Sequence, residues 1–349
     1  MKICYFGIYN PNFGRNKTYI GGLKQNGVEI VECRDTSKGL MKFWRLWRKH
    51  QLLKNDYDYM IVGYPGHIIV PFAKIISKKP IIFDALCTLY EGEILSRNLH
   101  KFNPFKKLWI LFVDWSATKC ADLVLVETNE QRKYFINRFH LLDKKVVRIF
   151  TGTDEEVFHL DESVIKRKKF TAVFRGRFLP EAGIKYIVQT AKILENENIN
   201  FLIIGGGVVE QEIDLLVKSL KPSNLEWVNR YLGVDELKKM MLECHISLGQ
   251  FENHIRLHRT IPHKAFESLA MGLPYVTGRN KAISELLIDE ENCLMVNNAD
   301  PKDLAEKILK LKNDQEFLKK IAENGLYLYE ERLLSIKLGR DIIRAIENI

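Results

Sequence analysis

The chain has 349 residues, 46% of them hydrophobic, which is too many for one ordinary core and too apolar for wholesale disorder. Two folded domains are therefore expected. The formal charge of +9 is uneven: residues 1–150 hold 25 Lys/Arg against 13 Asp/Glu, a surplus of +12, while the remainder holds 28 against 31. Such a surplus points to an anionic partner for the N-terminal half, with nucleic acid and anionic lipid both open.

None of the six cysteines (Cys4, Cys33, Cys87, Cys120, Cys244, Cys293) lies in a C-x-x-C pair or at metal-ligand spacing with histidine. Packed thiols in a reducing compartment are expected. The start "MKICYFGIYNPNFG" turns polar too soon for a signal peptide. No apolar run approaches the roughly 20 residues that span a bilayer. The expected location is cytoplasmic, with a membrane surface still accessible.

In chain order, "KICYFGI", "EIVECRD", "YMIVGY", "PIIFDAL", "LVLVET" and "VVRIFTG" read as strands in the first half. "FTAVFRGR", "NFLIIGGG", "LEWVNRY", "ISLGQF", "LPYVTG" and "CLMVNN" read as strands in the second. Helical patterns such as "GIKYIVQTAKILENEN", "VVEQEIDLLVKSL" and "VDELKKMMLECH" lie between them. Alternation of this kind predicts βαβ units, and near-continuous apolar strands predict parallel sheets covered on both faces. The charged stretch "DEEVFHLDESVIKRKK" separates two α/β series. The fold class is α/β, with two doubly wound domains whose ligands are expected outside the carboxyl ends of the strands, facing a central cleft.

Several segments carry candidate chemistry. In the first βα loop, "NPNFGRNKTYIGGL" presents Gly14 and Arg15 without the G-K-[ST] of a phosphate loop. Asp84, in "IIFDALC", is either an active-site group or a structural cap, and His67, in "GYPGHIIV", is a helix-entry residue or a ligand contact. Arg177 follows a strand in "FRGRFLPEAGI", where a guanidinium could clamp a diphosphate. Gly205, Gly206 and Gly207 form either a tight βα turn or a close approach for phosphate. In "IPHKAFESLAMGLPYVTG", Pro262 suits the first helical position and Gly272 the C-terminal cap. Lys264 and Glu267 share one face of that helix, as a solvated ion pair or as a site.

"KGLMKFWRLWRKHQLLK" (Lys38–Lys54) and "KFNPFKKLWILFVDW" (Lys101–Trp115) interleave aromatic and basic residues. A membrane interface, RNA stacking and a core helix with a basic outer face are the three readings.

The ordered run "GRFLPEAGI", "FLIIGGG", "IPHKAFESLAMGLPYVTG" and "AISELLIDEENCLMVNNADPKDLAEKIL" resembles the second half of glycosyltransferase family 4. The likeness covers residues 170–330 in detail and the first 150 more loosely. It implies a GT-B fold of two Rossmann-like domains and retaining transfer from a nucleoside-diphosphate sugar, with UDP or GDP as carrier. The implied acceptor is a glycan or a lipid-linked molecule. The implied divisions are 1–153 (acceptor and membrane side), a linker at 154–169, a donor domain at 170–331, and a C-terminal helix at 332–349 packing back on the N-terminal domain. Carried over by position, Glu267 accepts from the donor ribose, Arg177 grips the diphosphate, and the helix start at His263 and Lys264 faces the phosphates. Arg230 and Tyr231 lie where the base is met.

The chain departs from the family pattern at Arg259, where a glutamate usually touches the sugar, and at Ala182, where a lysine usually grips diphosphate. Arg175, Lys185 and Lys264 are candidate replacements. Gly14-Arg15 replaces a common glycine pair, and Asp84 stands where many members place a histidine. No metal or other cofactor is expected. Alternatives to transfer are a sugar-nucleotide 2-epimerase and a degenerate binding subunit. An anionic membrane surface is an expected partner, on the inner face of the membrane, and nucleic acid is not.

Overall fold

The computed structural model describes residues 1–54, 56–96 and 104–349. They divide into two units, Met1–Asp154 with Arg332–Ile349, and Glu155–Glu331.

The first unit is built on a parallel sheet of six strands: β1 (Lys2–Gly7), β2 (Glu29–Arg34), β3 (Tyr59–Val62), β4 (Ile81–Leu86), β5 (Leu123–Val126) and β6 (Val146–Arg148). Their order is β2-β1-β3-β4-β5-β6, so the strand order reverses at β1. Right-handed crossovers then place α1 (Gly14–Gln25) on one face. The same rule places α2 (Met41–Leu53), α3 (Val70–Ile76), α4 (Pro104–Cys120) and α5 (Asn129–Phe139) on the other. Helix packing follows that division: α2 touches α3, α3 touches α4 and α4 touches α5. Strand β4 (IIFDAL) is buried at every position, as a sheet covered on both faces requires.

The C-terminal helix α12 (Ser335–Glu347) packs against α1. The crossing needs glycine on both sides. A Cβ at Gly22 would lie 1.9 Å from the Ser335 carbonyl oxygen, and one at Gly339 would lie 2.3 Å from the Gly22 carbonyl carbon. With no side chain there, the backbones touch and Asn26 donates from Nδ2 to the Ile336 carbonyl at 2.7 Å.

The second unit has β7 (Phe170–Arg175), β8 (Ile199–Ile204), β9 (Leu225–Val228), β10 (Ile246–Leu248), β11 (Tyr275–Gly278) and β12 (Leu294–Val296), in the order β12-β11-β10-β7-β8-β9. All pairs are parallel. Helices α6 (Ile184–Ile193), α7 (Glu210–Leu220), α8 (Val234–Leu242), α9 (His263–Ala270), α10 (Pro301–Asn313) and α11 (Gln315–Arg332) complete the chain. The period of two sends Phe170, Ala172 and Phe174 of β7 into one core and Val173 into the opposite one. All twelve expected strands are present, in parallel sheets covered by helices. Residues 155–169 fall within the second unit, where Phe158 and Val164 pack on the core beside β8 and α8. All six cysteines are free, and Cys120 alone among them is not fully buried. Among the described residues no helix is long and apolar enough to cross a membrane.

Candidate functional site

The helix α9 begins just after Pro262, which is its N-cap rather than its first helical residue, and no side chain caps it. The Ala265 N–H donates to the Pro262 carbonyl at 2.8 Å, and the N–H groups ahead of it have no acceptor within the helix. At the other end, Gly272 adopts φ +61°, the Leu273 N–H donates to the Ser268 carbonyl at 2.9 Å, and the Gly272 N–H donates to the Leu269 carbonyl at 3.0 Å. This is a Schellman stop, and the left-handed backbone explains why glycine stands there.

The helix holds Lys264 and Glu267 at 7% and 5% exposure, so neither belongs to a solvated ion pair. They do not pair with each other. Glu267 Oε1 is engaged by Arg175, the last residue of β7, while Glu267 Oε2 is buried with no hydrogen bond. The Lys264 ammonium lies 3.6 Å from the Phe174 ring centroid and, among the described residues, makes no hydrogen bond or ion pair. Burial, and then the Arg175 charge, push Lys264 well below the ordinary lysine value, against the pull of Glu181. Ser268, one turn further along, donates to the Lys264 carbonyl at 2.6 Å and fixes that turn.

The candidate replacements for the missing lysine are now distinguished. Ala182 is fully buried in the core and offers no polar atom. Lys185 is bound to Glu252 at 2.8 Å, and Arg175 to Glu267. Lys264 has no hydrogen bond or ion pair among the described residues and lies close to Gly176. Arg177 is exposed on the same β7 loop. Sequence reasoning missed Glu181 and Arg256. Glu181 is fully buried, and its Oε1 accepts from Arg256 at 2.5 Å. The "PEAG" context is the only local signal for Glu181, and Arg256 lies 75 residues away.

The three glycines after β8 are shaped chiefly by protein atoms. Gly205 has φ +132°, and a Cβ there would meet the Gly176 carbonyl oxygen at 2.1 Å. The Gly176 N–H donates to the Ile204 carbonyl at 3.0 Å and the Phe178 N–H to the Gly206 carbonyl at 3.0 Å. Two loops at strand ends are thus zipped backbone to backbone, which favours the tight-turn reading. Beside them lies a pocket of about 720 Å³ lined by Gly207, Val208, Glu210, Gln211, Asp214, Trp227 and Asn229. Glu210 orders its rim, accepting from the Gly207 N–H at 3.0 Å and from Asn229 Nδ2 at 2.6 Å. Arg230 is turned to Glu236, and Tyr231 is 91% exposed. Arg259 and His263 are partly buried at the approach to α9.

In the first unit, Gly14 opens α1 and Arg15 follows it. Arg15 and Asp84 are paired with each other inside the unit. Both side chains are fully buried, with Arg15 Nε 2.7 Å from Asp84 Oδ1. Arg15 Nη1 donates to the Ile149 carbonyl at 3.1 Å and to Thr151 Oγ1 at 3.0 Å. Charged groups taken fully out of water must be satisfied by one another, and this pair ties α1 to β4 and to the segment after β6. His67 is likewise internal, with Nε2 2.9 Å from the Cys87 carbonyl, and burial pushes it down to about 4. Among the described residues no three His, Cys, Asp or Glu side chains form a metal-binding group.

The chain is 27% identical over 215 residues to an uncharacterised glycosyltransferase of Methanocaldococcus jannaschii, covering 61% of this chain and 56% of that protein. It is 24% identical over 257 residues to the capsular polysaccharide biosynthesis glycosyltransferase CapM of Staphylococcus aureus, covering 68% of this chain and 64% of that one. The chain thus spans less than two thirds of either relative. The structure of Anabaena HepE in complex with UDP superposes with a TM-score of 0.74 at 14% identity, over 100% of both chains, and shares the two-unit α/β fold. The segment that holds Arg175, Lys264 and Glu267, residues 157–326, matches the family described as Glycosyl transferases group 1.

Proposed function

We propose that the chain transfers a sugar from a nucleoside-diphosphate sugar to a glycan or lipid-linked acceptor with retention of configuration. The observation that carries this reading is Lys264: a buried cation that makes no hydrogen bond among the described residues, at the start of α9, which no described side chain caps, one turn from Glu267 Oε2, which has no described partner either. A buried cation at a helix N-terminus fits a site that binds an anion. The match of residues 157–326 to the group 1 glycosyl transferases supports it, as does the likeness to a UDP-bound fold.

In this reading Glu267 Oε2 accepts from a ribose hydroxyl while Oε1 stays with Arg175. Arg175 then positions the carboxylate. Lys264 and the first N–H groups of α9 meet the diphosphate, and exposed Arg177 closes on it from the β7 loop. Charge grows on the leaving diphosphate as the glycosidic bond breaks, so these donors act most strongly in the transition state. The pocket beside Trp227 receives the base, near Arg230 and Tyr231. Arg259 stands where sugar contact is expected and sets a different preference from a carboxylate. The leaving charge is met by side chains and N–H groups, so activity should survive chelators.

A thermal-shift screen over nucleosides, nucleoside diphosphates and nucleotide sugars tests the reading. One diphosphate series should raise the melting temperature more than its nucleoside, and Lys264→Met should abolish the difference. Equal shifts for nucleoside and diphosphate would remove the anion site from α9.

A further inference from the structure

We propose that helices α2, α3 and α4 of the first unit form a docking face for an anionic phospholipid bilayer. The inference is independent of the donor site, which lies in the other unit. All three helices lie on one face of the sheet, side by side, and Phe43 of α2 meets Phe72 of α3 with ring centroids 5.3 Å apart.

Their outward sides are unusual for a face in water. On α4, Leu108, Trp109, Phe112 and Trp115 repeat at i, i+1, i+4 and i+7 and so share one stripe. On α2, Trp44 and Trp47 stand outward. These six side chains are between 43% and 64% exposed. The inner sides are already spoken for: Ile110, Val113 and Ala117 of α4 and Leu46 of α2 are buried. A core-helix explanation therefore accounts for a different set of residues. Lys101, Phe102 and Asn103, part of the same basic-aromatic stretch in the sequence, lie outside the described residues.

Charge selects the occupant. The three helices carry eight Lys/Arg (Lys42, Arg45, Arg48, Lys49, Lys74, Lys106, Lys107 and Lys119) and one acid, Asp114. Asp114 is buried and accepts from the Leu89 and Tyr90 N–H groups at 2.8 and 3.1 Å. Arg34, Arg45 and Lys49 line a pocket of about 410 Å³ at the edge of α2 together with Thr36, Ser37 and one acid, Asp35, which holds Lys49 at 3.3 Å and accepts from the Ser37 hydroxyl, so that Arg34 and Arg45 are its surplus cations. A second copy of this face would bring cations against cations, so self-pairing is disfavoured. RNA would find aromatic platforms and cations for its phosphates, yet Leu108 and the apolar stripe of α4 offer base edges no hydrogen-bond acceptor. A bilayer matches both halves of the pattern: rings at headgroup depth, cations on anionic lipid.

The test is co-sedimentation of the full chain with vesicles of phosphatidylcholine alone and of phosphatidylcholine mixed with phosphatidylglycerol. Binding should require phosphatidylglycerol, weaken with salt, and keep a salt-resistant fraction from the aromatics. Reversing Arg45 and Arg48 to Glu should cut partitioning by about fivefold or more per cation. Trp109→Gln with Phe112→Gln should remove the salt-resistant fraction. Circular dichroism and the nucleotide thermal shift should be unchanged in both variants, which separates failure here from failure of the donor site. Absent or equal binding to both vesicle types would overturn the proposal. So would vesicle binding that neither variant alters, displacement of the chain from vesicles by single-stranded RNA, or self-association lost with Trp109→Gln.

Discussion

Replacing Lys264 with methionine should stabilise the free protein and weaken its ligand binding at once. Methionine keeps the apolar stem against Phe174 and removes the ammonium. Burying an ammonium costs several kcal/mol. Here its offset is the ring contact at 3.6 Å, worth about 2 kcal/mol in a desolvated site, with no hydrogen bond added. A net gain on the order of 1–3 kcal/mol is expected, and roughly 2–4 °C in melting temperature per kcal/mol for a unit of this size. The sign with pH follows. Burial lowers the folded-state value, so between that value and the ordinary 10.5 the unfolded chain binds a proton that the folded chain lacks. Wild-type stability therefore rises with pH across that window, and the methionine variant loses this rise. Its advantage is full at lower pH and fades towards 10.5. Loss of a charge-assisted hydrogen bond to diphosphate costs about 1.5–3 kcal/mol, a weakening of roughly 10- to 150-fold. Differential scanning fluorimetry across pH and calorimetry with UDP and GDP measure both effects. A variant that is less stable and binds each diphosphate as tightly as the parent would refute the reasoning.

Glu267→Gln should weaken donor binding and also lower stability by about 3 kcal/mol, because the Arg175 guanidinium loses its countercharge while its side chain is only 23% exposed; urea melts with and without nucleotide read both. Arg177→Ala should reduce turnover more than nucleoside affinity, since its role lies with the leaving diphosphate; unchanged turnover would move that role to Lys264. Asp84→Asn should cost about 3–5 kcal/mol by stranding Arg15, whereas Arg15→Met with Asp84→Leu should be better tolerated, with nucleotide affinity preserved in both; a folded double variant that loses nucleotide affinity would return Asp84 to the site. Gly22→Val should unfold the α1–α12 packing, because its Cβ has a carbonyl oxygen at 1.9 Å, and the melting temperature should fall sharply.

The twelve strands were legible because most of their β-branched and aromatic runs end at glycine, asparagine or aspartate, β4 and β5 running instead into Thr88 and Thr128, and parallel pairing followed from the helices between them. The glycine stop at Gly272 was legible for the same local reason. What the sequence does not show is which polar groups are buried against one another. Arg15 lies in the first turn of α1 and Asp84 inside β4, and their partnership spans 69 residues of chain. The Arg175–Glu267 and Glu181–Arg256 pairs are likewise long-range. No local spacing records them, although Lys264 and Glu267 were marked by an apolar helix carrying charge. Pro262 differed from expectation by one position, within the usual uncertainty of helix ends.

The central claim is retaining transfer at the α9 site, and proton NMR of nucleotide-sugar consumption by the purified chain tests it most directly. With water standing in for the acceptor, a donor selected by thermal shift should be consumed slowly. It should release free sugar whose first-formed anomer matches the donor, and Lys264→Met should suppress this. First appearance of the opposite anomer, interconversion of C2 epimers without release, or no consumption of any tightly bound donor would contradict the account.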